Sequence, residues 1–209
     1  MKYRIISVTE FKQNCSLVWC ESTHEGALID PGGDANKILR IVKKQAVRLK
    51  KILLTHGHID HVGAARLIAD KLQIPIIGPH KDDKYWLELL PKEAREFSMP
   101  RLDKLEPNRW LSDGSRIKIG NKYLSTLHCP GHTPGHVVFY QKKSKVAFVG
   151  DVIFKNSIGR TDFPGGCHQT LMQSINNKLL PLGDSFSFIP GHGPVSTLGK
   201  ERQNNPFLI

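Results

Sequence analysis

One short segment constrains this chain more than any other, because it places four candidate metal ligands within residues 56–61. In an extended loop, residues two apart point the same way, so His56 and His58 can bind one ion. Asp60 and His61 then turn toward another ion. The rest of the fold is expected to support this loop and to complete its ligand set.

The residues around the loop predict an interior strand followed by a helix. Residues 52–54 are a short apolar run without polar alternation, which is typical of a strand buried on both faces. The ligand loop therefore leaves the carboxyl end of a buried strand, where open α/β sheets place their sites. A helix beginning near Asp60 or His61 and reaching Leu72 would hold these two side chains rigidly.

The remaining pattern predicts strands in both halves and helices outside them. Asp34 is the expected N-cap of a helix with apolar positions as far as Leu49, and one short helix is expected within 81–109. A last helix is predicted at 168–180. The predicted strands are 3–8, 15–20, 27–30, 75–78, 116–119, 123–127, 137–140, 146–149 and 186–189. We expect one α/β domain over 1–209, a four-layer αββα sandwich of two mixed sheets flanked by helices.

Three further candidate ligands follow predicted strands in the second half. His132, Asp151 and His192 each lie in a turn marked by glycine or proline, and an adjacent glycine lets the backbone aim the side chain inward. Together with the loop they make five histidines and two aspartates, enough for two ions that share a bridging carboxylate. Nitrogen and oxygen donors suit Zn²⁺ best, with Fe or Mn as alternatives.

The net charge and the composition limit the classes of molecule that the protein is expected to bind. The formal net charge of +11 favours anionic partners, but the lysines are scattered and no arginine-rich block is present. We therefore expect solvated basic faces and a small anionic substrate, without nucleic acid or an obligate protein partner. No apolar stretch approaches the ~18 residues of a membrane span, and the four cysteines form no close CxxC pair. A cytoplasmic protein with reduced thiols is predicted.

Four motifs in order resemble the metallo-β-lactamase superfamily, whose signature is HxHxDH followed by separated His, Asp and His. The motifs are LLTHGHIDHVGA, CPGHTPGHV, GDVIFKNSIGRTDFPGG and IPGHGP. Within that superfamily they look like the short, one-domain bacterial form of glyoxalase II, the hydroxyacylglutathione hydrolases. The resemblance implies one zinc on His56, His58 and His132, and a second on Asp60, His61 and His192. It also implies that Asp151 bridges them.

The resemblance implies a reaction as well, the splitting of S-lactoylglutathione into lactate and glutathione. Two ions would lower the pKa of a bridging water to about 7, and Asp60 would orient the resulting hydroxide. Arg160 stands where longer relatives carry a glutathione-binding lysine, and it is the candidate substrate-binding residue. The chain ends 17 residues after His192 (209 − 192), so the C-terminal helical glutathione-binding domain of the longer enzymes is not expected.

Two other activities are compatible with these motifs. An iron-dependent dioxygenase of glutathione persulfide would share much of the loop but use one ion. A nucleic-acid-processing member of the superfamily would account for the basic charge. Among nearby residues, His136 is expected to make a structural hydrogen bond at a strand start more readily than to support a ligand. Asp30 is expected to belong to a turn.

Overall fold

The computed structural model describes all residues, 1–209. Its core is two mixed β-sheets. The first has the order β1-β2-β3-β4-β5 and the second the order β13-β12-β9-β8-β7-β6, while β10 and β11 form a separate hairpin. The first sheet comprises β1 (Lys2–Val8), β2 (Gln13–Trp19), β3 (Glu25–Ile29), β4 (Arg48–Leu53) and β5 (Ile76–Ile77).

The second sheet and the hairpin come from the C-terminal half. These strands are β6 (Arg116–Ile119), β7 (Lys122–His128), β8 (Val137–Gln141), β9 (Val146–Gly150), β10 (Ile153–Phe154), β11 (Ser157–Ile158), β12 (Ser187–Pro190) and β13 (Ser196–Thr197). The helices are α1 (Ala35–Lys44), α2 (Ile59–Val62), α3 (Ala65–Leu72), α4 (Lys84–Glu96), α5 (His168–Ser174) and α6 (Leu198–Asn204).

Alternating side chains divide the apolar core into three layers, as the pleat of a strand requires. On β2, Leu17 packs with helices α1, α3 and α4, whereas its neighbour Val18 faces the second sheet. On β9, Phe148 faces the first sheet and Val149 packs with α5. Three apolar layers between four layers of secondary structure confirm the predicted αββα sandwich.

Parallel pairing places the ends of several strands at one edge. β3 runs parallel to β4, so Asp30 and Thr55 follow neighbouring strand ends. β9 runs parallel to β12, with Gly150 opposite Pro190 in the ladder. Because parallel strands end at the same edge, the loops that carry Asp151 and His192 emerge side by side.

Several predicted helix boundaries are wrong. The first helix does not reach Leu49, because Ala46 adopts a positive φ of 51° and β4 already begins at Arg48. Asp34 is the N-cap residue but forms no side-chain cap, since its carboxylate instead accepts a hydrogen bond from the Thr9 N–H. The predicted helix from Asp60 to Leu72 is two helices, α2 and α3.

Other elements differ in length or were not predicted. The expected short helix within 81–109 is α4, which has 13 residues and continues through Pro91. The predicted helix at 168–180 is α5 followed by a π-helical turn at Ile175–Leu179 and a 3₁₀ turn. The hairpin β10–β11, strand β13 and helix α6 had no sequence prediction. No helix is long and apolar enough to cross a membrane.

Candidate metal centre

The HxHxDH loop is held by hydrogen bonds at its start and in its middle. Behind it, the buried Asp30 carboxylate accepts bonds from the N–H and the hydroxyl of Thr55, at 2.7 and 2.6 Å. In its middle, Gly57 donates its N–H to Asp83 at 2.9 Å. The loop therefore cannot shift without breaking buried bonds, and its side chains keep one arrangement.

Three imidazoles form the first donor set. The Nδ1 atom of His58 lies 3.1 Å from Nε2 of His56 and 3.1 Å from Nε2 of His132. His132 comes from the loop between β7 and β8, so the set joins the two sheets. All three side chains are buried. Burial and the neighbouring rings lower the pKa of His56 and of His58, which keeps both imidazoles neutral.

The second donor set contains one carboxylate and two imidazoles. Nε2 of His192 lies 3.0 Å from Oδ2 of Asp60, and Nε2 of His61 lies 3.7 Å from the same oxygen. Although burial opposes a charged ring, the carboxylates of Asp151, Asp60 and Asp30 raise the pKa of His61 to about 10. This set therefore differs from the first in containing a carboxylate, whose negative charge attracts a cation.

Asp151 lies between the two sets. Its Oδ1 is 3.4 Å from Nε2 of His61, and its Oδ2 is 3.7 Å from Nε2 of His132 and 3.8 Å from Nε2 of His192. A side chain at Gly191 would overlap the Asp151 carboxylate, so only glycine lets these loops approach so closely. One carboxylate therefore faces both groups of donors.

Hydrogen bonds on the far side of four rings direct their Nε2 atoms inward. The Nδ1–H of His61 donates to Asp30 at 3.0 Å, that of His132 to the Arg160 carbonyl at 2.7 Å, and that of His192 to the Phe11 carbonyl at 3.1 Å. His56 donates from Nδ1 to the Thr55 hydroxyl at 3.0 Å, since that hydroxyl already donates to Asp30. Metal-binding histidines use such bonds to fix the ring and its tautomer.

These features fit a binuclear metal site. His61 Nε2 and Asp151 Oδ1 are buried without a hydrogen-bond partner. Such groups are costly in a protein interior unless a cation satisfies them. Because the donors are nitrogen and carboxylate oxygen, Zn²⁺, Fe and Mn all suit the sites. The seven residues that the sequence predicted as ligands are brought together here.

Two further buried residues position the ligand loops. Asp83 accepts hydrogen bonds from the Gly57 N–H, the Thr133 hydroxyl at 2.9 Å and the Gly135 N–H, so it joins the two loops that supply the first set. The ring of His136 stacks on His56, with centroids 4.7 Å apart, and its Nε2 accepts the Asp151 N–H at 3.1 Å. The structural hydrogen bond that we expected from His136, at the start of β8, therefore holds the backbone of Asp151.

The donors lie at the floor of an open cleft of about 690 Å³. Helix α4 forms one wall with Glu93 and Phe97, and the segment after β10 forms the other with Lys155 and Arg160. The Arg160 guanidinium is exposed, stacks over Phe163 at 4.2 Å and donates from Nε to Asp162 at 2.7 Å. The predicted substrate-binding arginine thus lines the cleft with part of its charge neutralised.

Sequence reasoning missed several residues that support the site. Asp83 and Glu93 gave no signal, and Asp30 was assigned only to a turn. Asn14 holds the His192 loop, since its side-chain amide donates to the carbonyls of Pro190 at 3.1 Å and Gly193 at 2.8 Å. All of these contacts join residues far apart along the chain, and only the position of Asp30 directly after a strand could have indicated one.

Comparison with known proteins gives consistent relatives. A family model described as the metallo-beta-lactamase superfamily matches residues 8–197. A hydroxyacylglutathione hydrolase, GloC of Haemophilus influenzae, is 46% identical over 209 residues, covering 100% of this chain and 98% of the relative. Among solved structures, the BLEG-1 B3 metallo-beta-lactamase has a TM-score of 0.91 at 36% identity, covering 99% of each chain. TTHA1623, solved in a di-iron-bound form, has a TM-score of 0.89 at 36% identity, covering 98% of this chain and 100% of its own.

Proposed function

Because the chain belongs to the metallo-β-lactamase superfamily, we propose that it is a two-metal hydrolase of glutathione thioesters. Its substrate would be S-lactoylglutathione, split into lactate and glutathione. The observation that carries the proposal is Asp151 between two complete three-donor sets at the floor of an open cleft. The similarity to a hydroxyacylglutathione hydrolase over the full chain supports the choice of substrate.

Each donor in this proposal has a defined task. His56, His58 and His132 would hold one ion, and Asp60, His61 and His192 a second, with Asp151 shared between them. Ions held there supply Lewis acidity and a water whose pKa is near 7.

The carboxylates of the centre direct the attack. Asp60 and Asp151 flank the space between the donor sets, where they can accept hydrogen bonds from the attacking water and aim its lone pair at the thioester carbon. As the C–O bond forms, the water loses a proton to solvent; the C–S bond then breaks, and the sulfur leaves as a thiolate that takes up a proton from solvent. Because a thiolate is a stable leaving group, we assign no general acid to this step.

The walls of the cleft provide charge for the thiol half of the substrate. Glutathione carries two carboxylates, and the cleft is lined by two cationic side chains, Lys155 and Arg160. Lys155 is exposed and forms no ion pair, whereas Arg160 shares its charge with Asp162. We therefore propose both as binding residues for glutathione carboxylates, with Lys155 added to the arginine that the sequence predicted.

Zinc is the proposed native metal, and iron is the alternative that remains to be tested. The donors suit both, and a relative with 36% identity was solved in a di-iron-bound form. A single-ion persulfide dioxygenase is less well supported, because the second donor set is as complete as the first. Nucleic acid is not proposed as a partner, and a cytoplasmic location remains a prediction.

Measurements of thioester hydrolysis and oxygen consumption on one protein sample test the proposal. Protein purified without chelators should release free glutathione from S-lactoylglutathione, with no oxygen consumed when glutathione persulfide is supplied instead. A cephalosporin serves as the competing substrate, because one structural relative is a B3 metallo-beta-lactamase. Oxygen uptake, or faster opening of the β-lactam than of the thioester, would replace the proposed function.

A further inference from the structure

Glu93 is a buried carboxyl group that the proposed reaction leaves without a task. It lies on α4, lines the cleft, and is only 8% exposed. Its Oε2 is buried without a hydrogen-bond partner, although buried carboxyl groups ordinarily have one. Burial, and then the Asp60 charge, raise the pKa of Glu93 to about 7. An unpaired group of this kind costs stability, so a binding role would explain why the fold contains it.

The position of Glu93 in the cleft indicates which part of the substrate it would contact. Helix α4 packs against α2, which carries Asp60, so Glu93 lies beside the metal centre. The same end of the cleft is bounded by Ile59 and by Phe97, whose ring meets Phe11 edge to face at 5.9 Å. The apolar side chains of Ile59 and Phe97 next to the reacting centre suit an acyl group.

Arg160 lies at a different end of the cleft. Arg160 stacks on Phe163, which contacts Trp86 near the start of α4, with ring centroids 5.8 Å apart. Glu93 follows Trp86 by seven residues, about 10 Å further along the helix. A substrate carboxylate bound at Arg160 is therefore held away from Glu93, and a γ-glutamyl carboxylate bound there carries with it the ammonium on the same carbon. The acyl half is left at the Glu93 end.

An acyl group beside Glu93 can offer one kind of hydrogen bond. A 2-hydroxyacyl group has a hydroxyl one carbon from the thioester carbonyl, and a carboxyl oxygen accepts from it in either protonation state. We propose that Glu93 selects 2-hydroxyacyl thioesters by accepting a hydrogen bond from the acyl hydroxyl. This inference rests on the proposed function and assigns its acyl specificity.

Two substrates that differ only in this hydroxyl test the inference. The ratio of kcat/KM for S-lactoylglutathione to that for S-propionylglutathione should be about tenfold or more in the unaltered enzyme, because a site that binds a hydroxyl rejects the analogue without it. In Glu93→Leu the ratio should fall to near one. In Glu93→Gln the amide oxygen still accepts, so the ratio should remain within about threefold of the original. Glu88→Leu, exposed on the same helix, is the matched control and should leave the ratio unchanged.

Thermal unfolding provides a readout that does not depend on turnover. Since Glu93 is unpaired in the substrate-free protein, Glu93→Leu should raise Tm by about 2 to 4 °C, the shift expected for about 1 kcal/mol in a chain of this size. A fall in Tm, or an equal loss of activity toward both thioesters, would assign Glu93 a structural role and overturn the inference. A ratio near one in the unaltered enzyme would overturn it too, while thioester hydrolysis as such would stand. Hydrolysis of neither thioester would overturn the proposed function and this inference with it.

Discussion

The wall behind the metal donors and the wall that faces the cleft are built differently. Behind the donors, Asp30 and Asp83 each accept three hydrogen bonds and are buried. Facing the cleft, Glu93 has an unpaired carboxyl oxygen, and Lys155 is exposed and free of ion pairs. The arrangement of the candidate metal donors is thus held by many cooperating contacts, whereas the proposed substrate binding would depend on a few side chains that have no partner. Changes to the first wall should be more costly than changes to the second.

The largest effect is expected from a metal donor itself. His58→Ala removes the nitrogen that lies 3.1 Å from two other donors, so the first set loses its centre. Thioester hydrolysis should fall by about 10³-fold or more, as when a main electrostatic stabiliser of the transition state is lost. Bound metal should fall to one ion per chain or fewer, measured by elemental analysis. His168→Ala, an exposed histidine at the start of α5, should change neither quantity.

A smaller but still large effect is expected behind the donors. Asp30→Asn replaces one accepting oxygen with a donor, so the bonds from Thr55 and His61 cannot all be kept. Loss of such a partner lowers metal affinity or activity by about 10- to 100-fold. Competition with a chelator measures this affinity. The exposed Asp70→Asn is the control, and equal affinities in the two variants would contradict the role of Asp30.

Glu93 should make the stability of the protein depend on pH. Its pKa rises from 4.5 to about 7 on folding, so between these values the folded chain keeps a proton that the unfolded chain releases. The contribution of Glu93 is therefore fully present below pH 4.5 and is lost as the pH rises to 7. Relative to the unaltered protein, Glu93→Leu should gain about 1 kcal/mol between pH 4 and 8 in denaturant unfolding, allowing for screening by water in the cleft. If the difference in stability between Glu93→Leu and the unaltered protein does not change with pH, the claim that the Glu93 carboxyl is unpaired is wrong.

The smallest effect is expected at the cationic side of the cleft. Arg160→Ala removes an exposed guanidinium that is paired with Asp162, so KM for the thioester should rise only about two- to fivefold. Lys155→Ala should raise KM at least as much, because its charge is unshared. The rise in KM caused by either variant should be smaller at high salt, where exposed charges are screened. A larger effect on kcat than on KM would place Arg160 closer to the reaction than this account does.

The same contrast explains what the sequence could predict. The seven proposed donors lie in short glycine-containing motifs that follow strand ends, so local pattern was sufficient to predict them as a group, and the structure brings them together. Leu49 illustrates the limit, because it fits the helical spacing of α1 while Ala46 adopts a left-handed conformation that ends the helix first. Leu72 illustrates another limit of local pattern, because the single helix predicted to reach Leu72 is interrupted after Val62.

Residues that act through distant partners could not be found in this way. Asp83 is linked to Gly57 and Gly135, which lie 26 and 52 residues away. Glu93 resembles any other acidic residue of an amphipathic helix until the fold buries it beside the metal centre. The candidate donors could therefore be predicted from local motifs, whereas the residues that support them, and the proposed specificity residue Glu93, depend on packing between the two sheets and α4.

The most direct test of the two-metal account is a titration of metal-free protein with zinc, following hydrolysis of S-lactoylglutathione at each step. With Asp151 shared by two donor sets, activity should rise until two equivalents are bound per chain and then remain constant. A plateau at one equivalent, or full activity before any metal is added, would contradict the account.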